Sequence, residues 1–140
     1  NKQYKEAHNL SNVHFVDFLG KDELREYYNA ADTFVLMTRG DTWGLVINEA
    51  MANGLPVITT KRCVAGVELI KDGENGYIIG VDDTEALVNK VLMLRDNENL
   101  CRQMSLANIN KMQTNTVHNI VKSHIQVLEK FLSEMEKKSD

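Results

Sequence analysis

The sequence predicts an α/β fold: a Rossmann-like parallel sheet with helices on both faces. Three observations predict it. Apolar, β-branched runs of strand length alternate with longer stretches of helical spacing, the pattern of parallel strands joined by helices. The run Thr33-Phe34-Val35-Leu36-Met37 is uninterrupted, as expected of a strand covered on both faces. The stretch from Asp41 to Thr60 reads as a loop, a helix, a tight stop and a strand in one continuous piece.

That stretch organises the rest. From Leu45 to Ala52 the helix is apolar nearly all round, which predicts burial rather than a place on the surface. Glu49 stands in its middle, and a carboxylate in an apolar interior needs a partner. A second carboxylate, Asp41, stands in the loop before it. Gly44 permits a close backbone approach at the helix start. Asn53-Gly54 predicts a stop at a left-handed position, and Pro56 opens a strand over residues 57–60, where a missing N–H is tolerated.

The remaining elements follow in order. Residues 1–9 are polar and read as the tail of a helix, and residues 13–18 (Val-His-Phe-Val-Asp-Phe) read as a strand broken by Gly20. Residues 23–31 read as a helix with Leu24, Tyr27, Tyr28 and Ala31 on one face. Residues 64–70 predict a short helix closed by Asp72-Gly73, with a second turn at Asn75-Gly76 and a strand at Tyr77-Ile78-Ile79. Asp82 and Glu85 have capping-box spacing. The helix behind them carries Leu87, Val91 and Leu94 on one stripe, beside Val88 and Leu92; a further helix carries Leu100, Met104 and Ala107. The C-terminal helix, residues 116–137, places Val117, Val121, His124, Leu128, Phe131 and Met135 at alternating steps of four and three. That is a heptad seam broken by a histidine.

Composition narrows the function. A chain of 140 residues fits a single domain, residues 1–140, with a real core. The net charge is −4 with no basic run, which argues against a nucleic-acid partner. No apolar run approaches the ~20 residues of a membrane span, and no signal peptide is visible. The expected place is the cytoplasm, or the inner face of the membrane. Cys63 and Cys101 lack metal or redox spacing, the four histidines are scattered, and no metal or cofactor is expected. The non-Met start hints at a piece of something longer.

Parallel sheets bind ligands at the carboxyl ends of their strands. Residues 38–44 form a loop at such an end and run into a helix N-terminus, where free N–H groups and the helix dipole favour a phosphate. Carboxylates repel phosphate but accept hydrogen bonds from hydroxyls. Phosphate together with polyol hydroxyls describes a nucleotide or a nucleotide-sugar.

The residues from Asp41 to Thr60 resemble the donor-site motif of the retaining GT-B glycosyltransferases of family four (glycosyl transferases group 1). That motif runs Glu, seven residues, Glu, with Gly-Leu-Val inside and Glu-Ala-Met-Ala-x-Gly-x-Pro-Val-Ile closing it. Here Asp41 holds the first acidic position and Glu49 the second. The resemblance extends over residues 13–96, including Asp72-Gly73-Glu74-Asn75-Gly76-Tyr77. It implies the second, donor-binding lobe of a two-lobe enzyme, as a fragment. Asp41 would bond the donor sugar, with Thr42, Trp43 and Gly44 shaping its pocket. The N–H groups of Leu45 and Val46 would hold the diphosphate, Glu49 the ribose, and Leu19 would lie near the base.

The implied donor is a UDP- or GDP-sugar, and the implied acceptor a glycan or lipid-linked glycan reached through the first lobe, in cell-surface polysaccharide biosynthesis. The family's second lobe opens with two strands that carry a glycine turn and a diphosphate-binding Arg and Lys. They lie in mid-sheet, between the strands corresponding to residues 13–18 and 33–37, and neither is in this sequence. The resemblance therefore implies no catalytic residue within these residues, an inactive chain on its own, and a gap closed by rearrangement or by a partner chain, with a homodimer through the last helix as one form.

Each residue also has a plainer reading. Glu49 could face solvent, Asp41 could be a turn residue, Trp43 could be packing, and Lys61-Arg62 a solvated strand end. Two other functions fit the same pattern: a GT-B sugar-nucleotide epimerase, and a non-catalytic nucleotide-binding α/β module.

Overall fold

A computed structural model of the chain describes residues 2–136. Where the sequence reads as one domain, the chain divides into two compact units, one ending at Ala30 and one starting at Ala31. The first unit holds helix α1 (Lys2–Ala7) and helix α2 (Lys21–Ala30). The Glu23 carboxylate accepts the Gly20 N–H at 3.0 Å, satisfying a donor at the start of α2. The expected strand at residues 13–18 does not form: the segment has no regular structure, and Phe18 is 99% exposed. Aromatic and β-branched residues fit a strand, but a strand exists only where a neighbour takes its backbone hydrogen bonds. Among the described residues no strand pairs with this segment.

The second unit holds β1 (Phe34–Leu36), α3 (Leu45–Ala52), β2 (Val57–Thr60), α4 (Val64–Leu69), β3 (Gly76–Ile79), α5 (Thr84–Arg95), α6 (Glu98–Thr114) and α7 (Val117–Glu136). Its sheet has three parallel strands in the order β1-β2-β3. Phe34 pairs with Val57, and Ile58 with Tyr77. The central strand β2 is buried at every residue. Successive strand residues point to opposite faces. Ile58 joins a core with Tyr77, Ile79, Leu94 and Met104, so α5 and α6 cover one face. Thr59 lies against Gly66 of α4, which covers the other. Helices on both faces follow from these two contacts.

Several elements differ from expectation. β1 is an edge strand, three residues long, and Val35 and Met37 are exposed rather than covered on both sides. α3 is not buried all round. Ile47, Ala50 and Met51 are fully buried on one side, while Leu45 is 69% exposed and Val46 and Glu49 are also exposed. Its inner side packs on β2, α4 and α6, and Leu45, Val46 and Glu49 on the outer side are exposed. Glu49 therefore does not lie in an apolar interior. The cap of α5 is Asp83, whose carboxylate accepts the Ala86 N–H at 2.9 Å. Asp82, one residue earlier, adopts a left-handed φ of 58° and so cannot be the cap.

Other expectations hold. Gly54 has φ 76°; its N–H donates to Met51 and the Leu55 N–H to Ala50, closing α3 with the paired bonds of a left-handed stop. On α5 Leu94 is buried and Leu87 packs on the core, but Val88, Val91 and Leu92 remain well exposed. On α6 Met104 is buried, with Leu100 packed beside it. The apolar side chains of α7, Val121, Leu128, Phe131 and Met135 among them, are exposed. Lys137, the expected end of that helix, and the side chain of Val117 lie outside the described residues.

Candidate functional site

Three loops meet at the carboxyl end of the sheet, and the two threonines ending β2 hold the first of them. The Thr59 hydroxyl donates to the Leu36 carbonyl at 2.9 Å, and the Thr60 hydroxyl to the Thr38 carbonyl at 2.6 Å. Both threonines are buried. β-Branched residues suit a central strand, and the Thr60 hydroxyl here meets a carbonyl beyond the end of the β1–β2 ladder at Leu36. The Asp41 N–H then donates to the Arg62 carbonyl at 3.2 Å, which ties the loop after β1 to the loop after β2. The Arg39 Nε donates to both carboxylate oxygens of Asp82 at 3.1 Å, joining the loop after β3. That pair is exposed and so contributes little to stability.

The loop is shaped from within by Asp41 and Gly44. The Asp41 carboxylate accepts the Trp43 N–H at 3.1 Å, an Asx-type turn. Gly44 has φ 89°, and a Cβ there would stand 2.7 Å from the Cys63 Sγ. Only glycine accepts both that conformation and that neighbour. The Ala65 N–H donates to the Trp43 carbonyl at 2.7 Å, and the buried Cys63 thiol approaches the same carbonyl at 3.6 Å. The loop is thus seated on the start of α4.

This seating leaves the N-terminus of α3 open. The Ile47 N–H turns back to the Gly44 carbonyl at 2.9 Å, but among the described residues no acceptor meets the Leu45 or Val46 N–H. Two donors and the positive end of the helix dipole are therefore presented beside the exposed side of α3, where Leu45, Val46 and Glu49 lie. Next to this, a cleft of about 590 Å³ is lined by Asp41, Thr42, Lys61, Arg62, Val64 and Glu68, with Gly40 and Val67. Among the described residues neither Lys61 nor Arg62 is held in an ion pair, so both charges remain available to the cleft.

The expected site residues are thus sorted by the fold. Asp41 and Thr42 share the cleft; Gly44, Leu45, Val46 and Glu49 form the loop end and open side of α3 next to it. Trp43 does not line this cleft. Its Nε1–H donates to the Asn48 side-chain oxygen at 2.9 Å, and its ring lines a second cleft of about 380 Å³. Leu19 is partly buried in the irregular segment before α2, in the first unit. Sequence reasoning did not single out Thr60 or Glu68, and it weighed Lys61-Arg62 as a phosphate contact but favoured a solvated strand end. The signal for Thr60 was its place at the carboxyl end of the central strand, where a hydroxyl can reach the neighbouring loop. Among the described residues no group of three or more His, Cys, Asp or Glu could hold a metal ion, and no helix is long and apolar enough to cross a membrane.

Known proteins resemble this chain in sequence and in fold. The model of the family "Glycosyl transferases group 1" matches residues 1–97. N-acetyl-alpha-D-glucosaminyl L-malate synthase of Bacillus anthracis is 37% identical over 100 residues, covering 68% of this chain and 26% of that protein. The chain therefore spans about a quarter of that relative's length. Among solved structures, the C-terminal domain of a glycosyl transferase group 1 family protein (LpcC) from Francisella tularensis superposes with a TM-score of 0.73 at 28% identity, covering 81% of this chain and 58% of that one. HepE from Anabaena, in complex with UDP and glucose, shares the fold with a TM-score of 0.76 at 22% identity, covering 94% of this chain and 35% of that one. With the family model matching more than half of the chain, residues 1–97, and with a fold shared with that solved C-terminal domain, this chain belongs to the glycosyl transferases group 1 family.

Proposed function

We propose that this chain is the nucleotide-sugar-binding half of a retaining glycosyltransferase of family four. In this reading it holds a UDP- or GDP-hexose for transfer to a glycan or lipid-linked acceptor, in cell-surface polysaccharide biosynthesis. The observation that carries the proposal is the pair of unmet N–H groups at Leu45 and Val46, beside a cleft that combines Asp41 with the cations Lys61 and Arg62. A diphosphate matches the N–H groups, the helix dipole and the cations. The hydroxyls of a sugar and a ribose match the carboxylates of Asp41 and Glu49, with Thr42 and Gly44 bounding the sugar end. The exposed leucine and valine of α3 fit a surface that a ligand and a further lobe cover.

The chemistry asked of these residues is electrostatic. As the bond from sugar to diphosphate breaks, charge collects on the leaving phosphate, and donors already aimed at it stabilise that state without reorganising. Neither a metal nor a cofactor enters this reading. The chain alone is expected to bind donor without transferring sugar, because acceptor binding and part of the diphosphate contacts belong to the rest of the enzyme. Calorimetric titration with UDP and GDP tests the binding half. Wild type should bind one of them, and both Glu49→Ala and Asp41→Ala, checked for native circular dichroism, should weaken binding of the nucleotide-sugar at least tenfold. Absence of nucleotide binding by the folded wild type would sink the reading. Sugar transfer by the chain alone would refute the claim that it is inactive.

A further inference from the structure

We infer that Arg62 selects the donor sugar, and that the sugar it selects carries a carboxylate: the donor is a nucleoside-diphosphate hexuronic acid. This specificity rests on the donor reading and narrows it to one class of oxidised hexose. Arg62 stands apart from the other arginines. Among the described residues Arg25, Arg39, Arg95 and Arg102 are each in an ion pair with a carboxylate, and Arg62 is not. Arg39 lies at the same end of the sheet, where both oxygens of Asp82 take its Nε–H. Arg62 has carboxylates close by as well, since Asp41 and Glu68 line the same cleft of about 590 Å³. Neither forms an ion pair with it.

The backbone holds these charges in place without letting them pair. After Thr60 ends β2, the two cations are tied to opposite neighbours. The Lys61 N–H donates to the Ile79 carbonyl of β3 at 3.1 Å, and the Arg62 carbonyl accepts the Asp41 N–H at 3.2 Å. The Arg62 N–H also points to the Thr60 hydroxyl at 3.4 Å. Arg62 is thereby fixed beside Asp41, the residue that the donor reading gives to the sugar. The Asp41 carboxylate is turned into its own loop, where it accepts the Trp43 N–H at 3.1 Å. It therefore does not neutralise the guanidinium next to it.

A neutral hexose uses only part of this cleft. Its hydroxyls would donate to Asp41 and Glu68 and leave the Arg62 guanidinium without a partner. A hexuronic acid keeps the ring hydroxyls for the two carboxylates and adds a planar carboxylate at C6. The two oxygens of that group match the fork of a guanidinium, in the strong, charge-assisted geometry that arginine favours. Opposite charges held apart in one cleft fit a ligand that brings a partner for each. Of the two cations, Lys61 is then left for the diphosphate, together with the Leu45 and Val46 N–H groups.

The test compares donors that differ only at C6. The chain is titrated by calorimetry with UDP and GDP, with UDP-glucuronic acid against UDP-glucose, and with GDP-mannuronic acid against GDP-mannose. Salt is kept at about 0.15 M, where exposed charges more than about 8 Å apart are screened. With the base that the chain binds, the uronic acid should bind about tenfold or more tighter than its hexose, the size of one charge-assisted contact. In Arg62→Gln, with native circular dichroism, that ratio should fall to about one. Arg62→Lys keeps the charge but not the fork, and should retain only part of it. A wild-type ratio near one would overturn the inference and leave the donor reading standing. A ratio that survives in Arg62→Gln, with both sugars weakened alike, would put Arg62 on the diphosphate and overturn it too. Failure of both nucleotides and all four donors to bind the folded chain would remove the donor reading and this specificity with it.

Discussion

At the scale of single residues, the candidate site depends on a few close fits. Gly44→Ala would place a Cβ against the Cys63 Sγ and force an L residue to a φ of 89°. The backbone term alone costs about 1–2 kcal/mol. Denaturant unfolding should show a loss of at least that size, and Cys63→Ala in the same chain should recover the contact part but not the backbone part. A double-mutant cycle that shows no coupling between the two positions would contradict the packing described. Thr60→Val keeps the shape of the side chain but removes the donor to the Thr38 carbonyl, and should cost about 1 kcal/mol. Thr60→Ser should restore most of it, and an equal loss in both variants would show that the hydroxyl is not what holds the loop.

Cys101 supplies the pH dependence. Burial raises its thiol pKa above the ordinary value of 9.0, with Asp32 and Glu98 adding to the shift. Burial raises Tyr77 as well, with Asp72 and Cys101 adding. The native state therefore holds these protons more tightly than the unfolded chain. Stability is complete below the unfolded pKa values and is lost as pH rises through the folded ones. Thermal unfolding across the alkaline range should show a falling midpoint, and Cys101→Ala should flatten the first part of that fall. A midpoint that rises in this range would reverse the sign.

At the scale of elements, what the sequence made legible is what local chemistry decides. The Asn53-Gly54 stop of α3, the short helix before Asp72-Gly73 and the alternation of strand with helix each follow from residues close together in the chain. The misses came from neighbours. Residues 13–18 have a strand's composition and no strand beside them, and α3 has a buried helix's composition with one side open. Composition reports what an element could pack against, not whether that partner is present. Asn108 was also missed, because nothing near it in the chain marks it. Its side-chain N–H₂ donates to the Leu55 carbonyl at 2.7 Å and the Asn75 carbonyl at 2.9 Å, fastening α6 to the starts of β2 and β3. Asn108→Leu would leave both carbonyls without that donor, and should cost about 2–3 kcal/mol in denaturant unfolding. A stability equal to wild type would show that this staple does not matter.

At the scale of the molecule, the open surfaces are the main finding. α7 carries more apolar surface than a two-helix seam needs. Besides Val121, Leu128 and Phe131, the flanking positions Ile120, Ile125, Val127 and Leu132 are apolar and exposed. A face that wide suits contact with more than one helix. The isolated chain should therefore self-associate in sedimentation, and the double variant Leu128→Glu with Phe131→Glu should be monomeric. A monomeric wild type would contradict that prediction. Of the candidate site, the Asp41–Glu49 motif and the start of α3 were legible because one continuous stretch carries them. The cleft beside it was not, because Lys61, Arg62 and Glu68 meet Asp41 only through the fold.

The most direct test of the central claim is an amide NMR titration of the chain with UDP and GDP. The account predicts that one nucleotide shifts the Leu45 and Val46 N–H resonances most strongly, with Glu49 also affected and the Trp43 indole N–H little moved. Shifts confined to other parts of the chain, with Leu45 and Val46 unmoved, would contradict it.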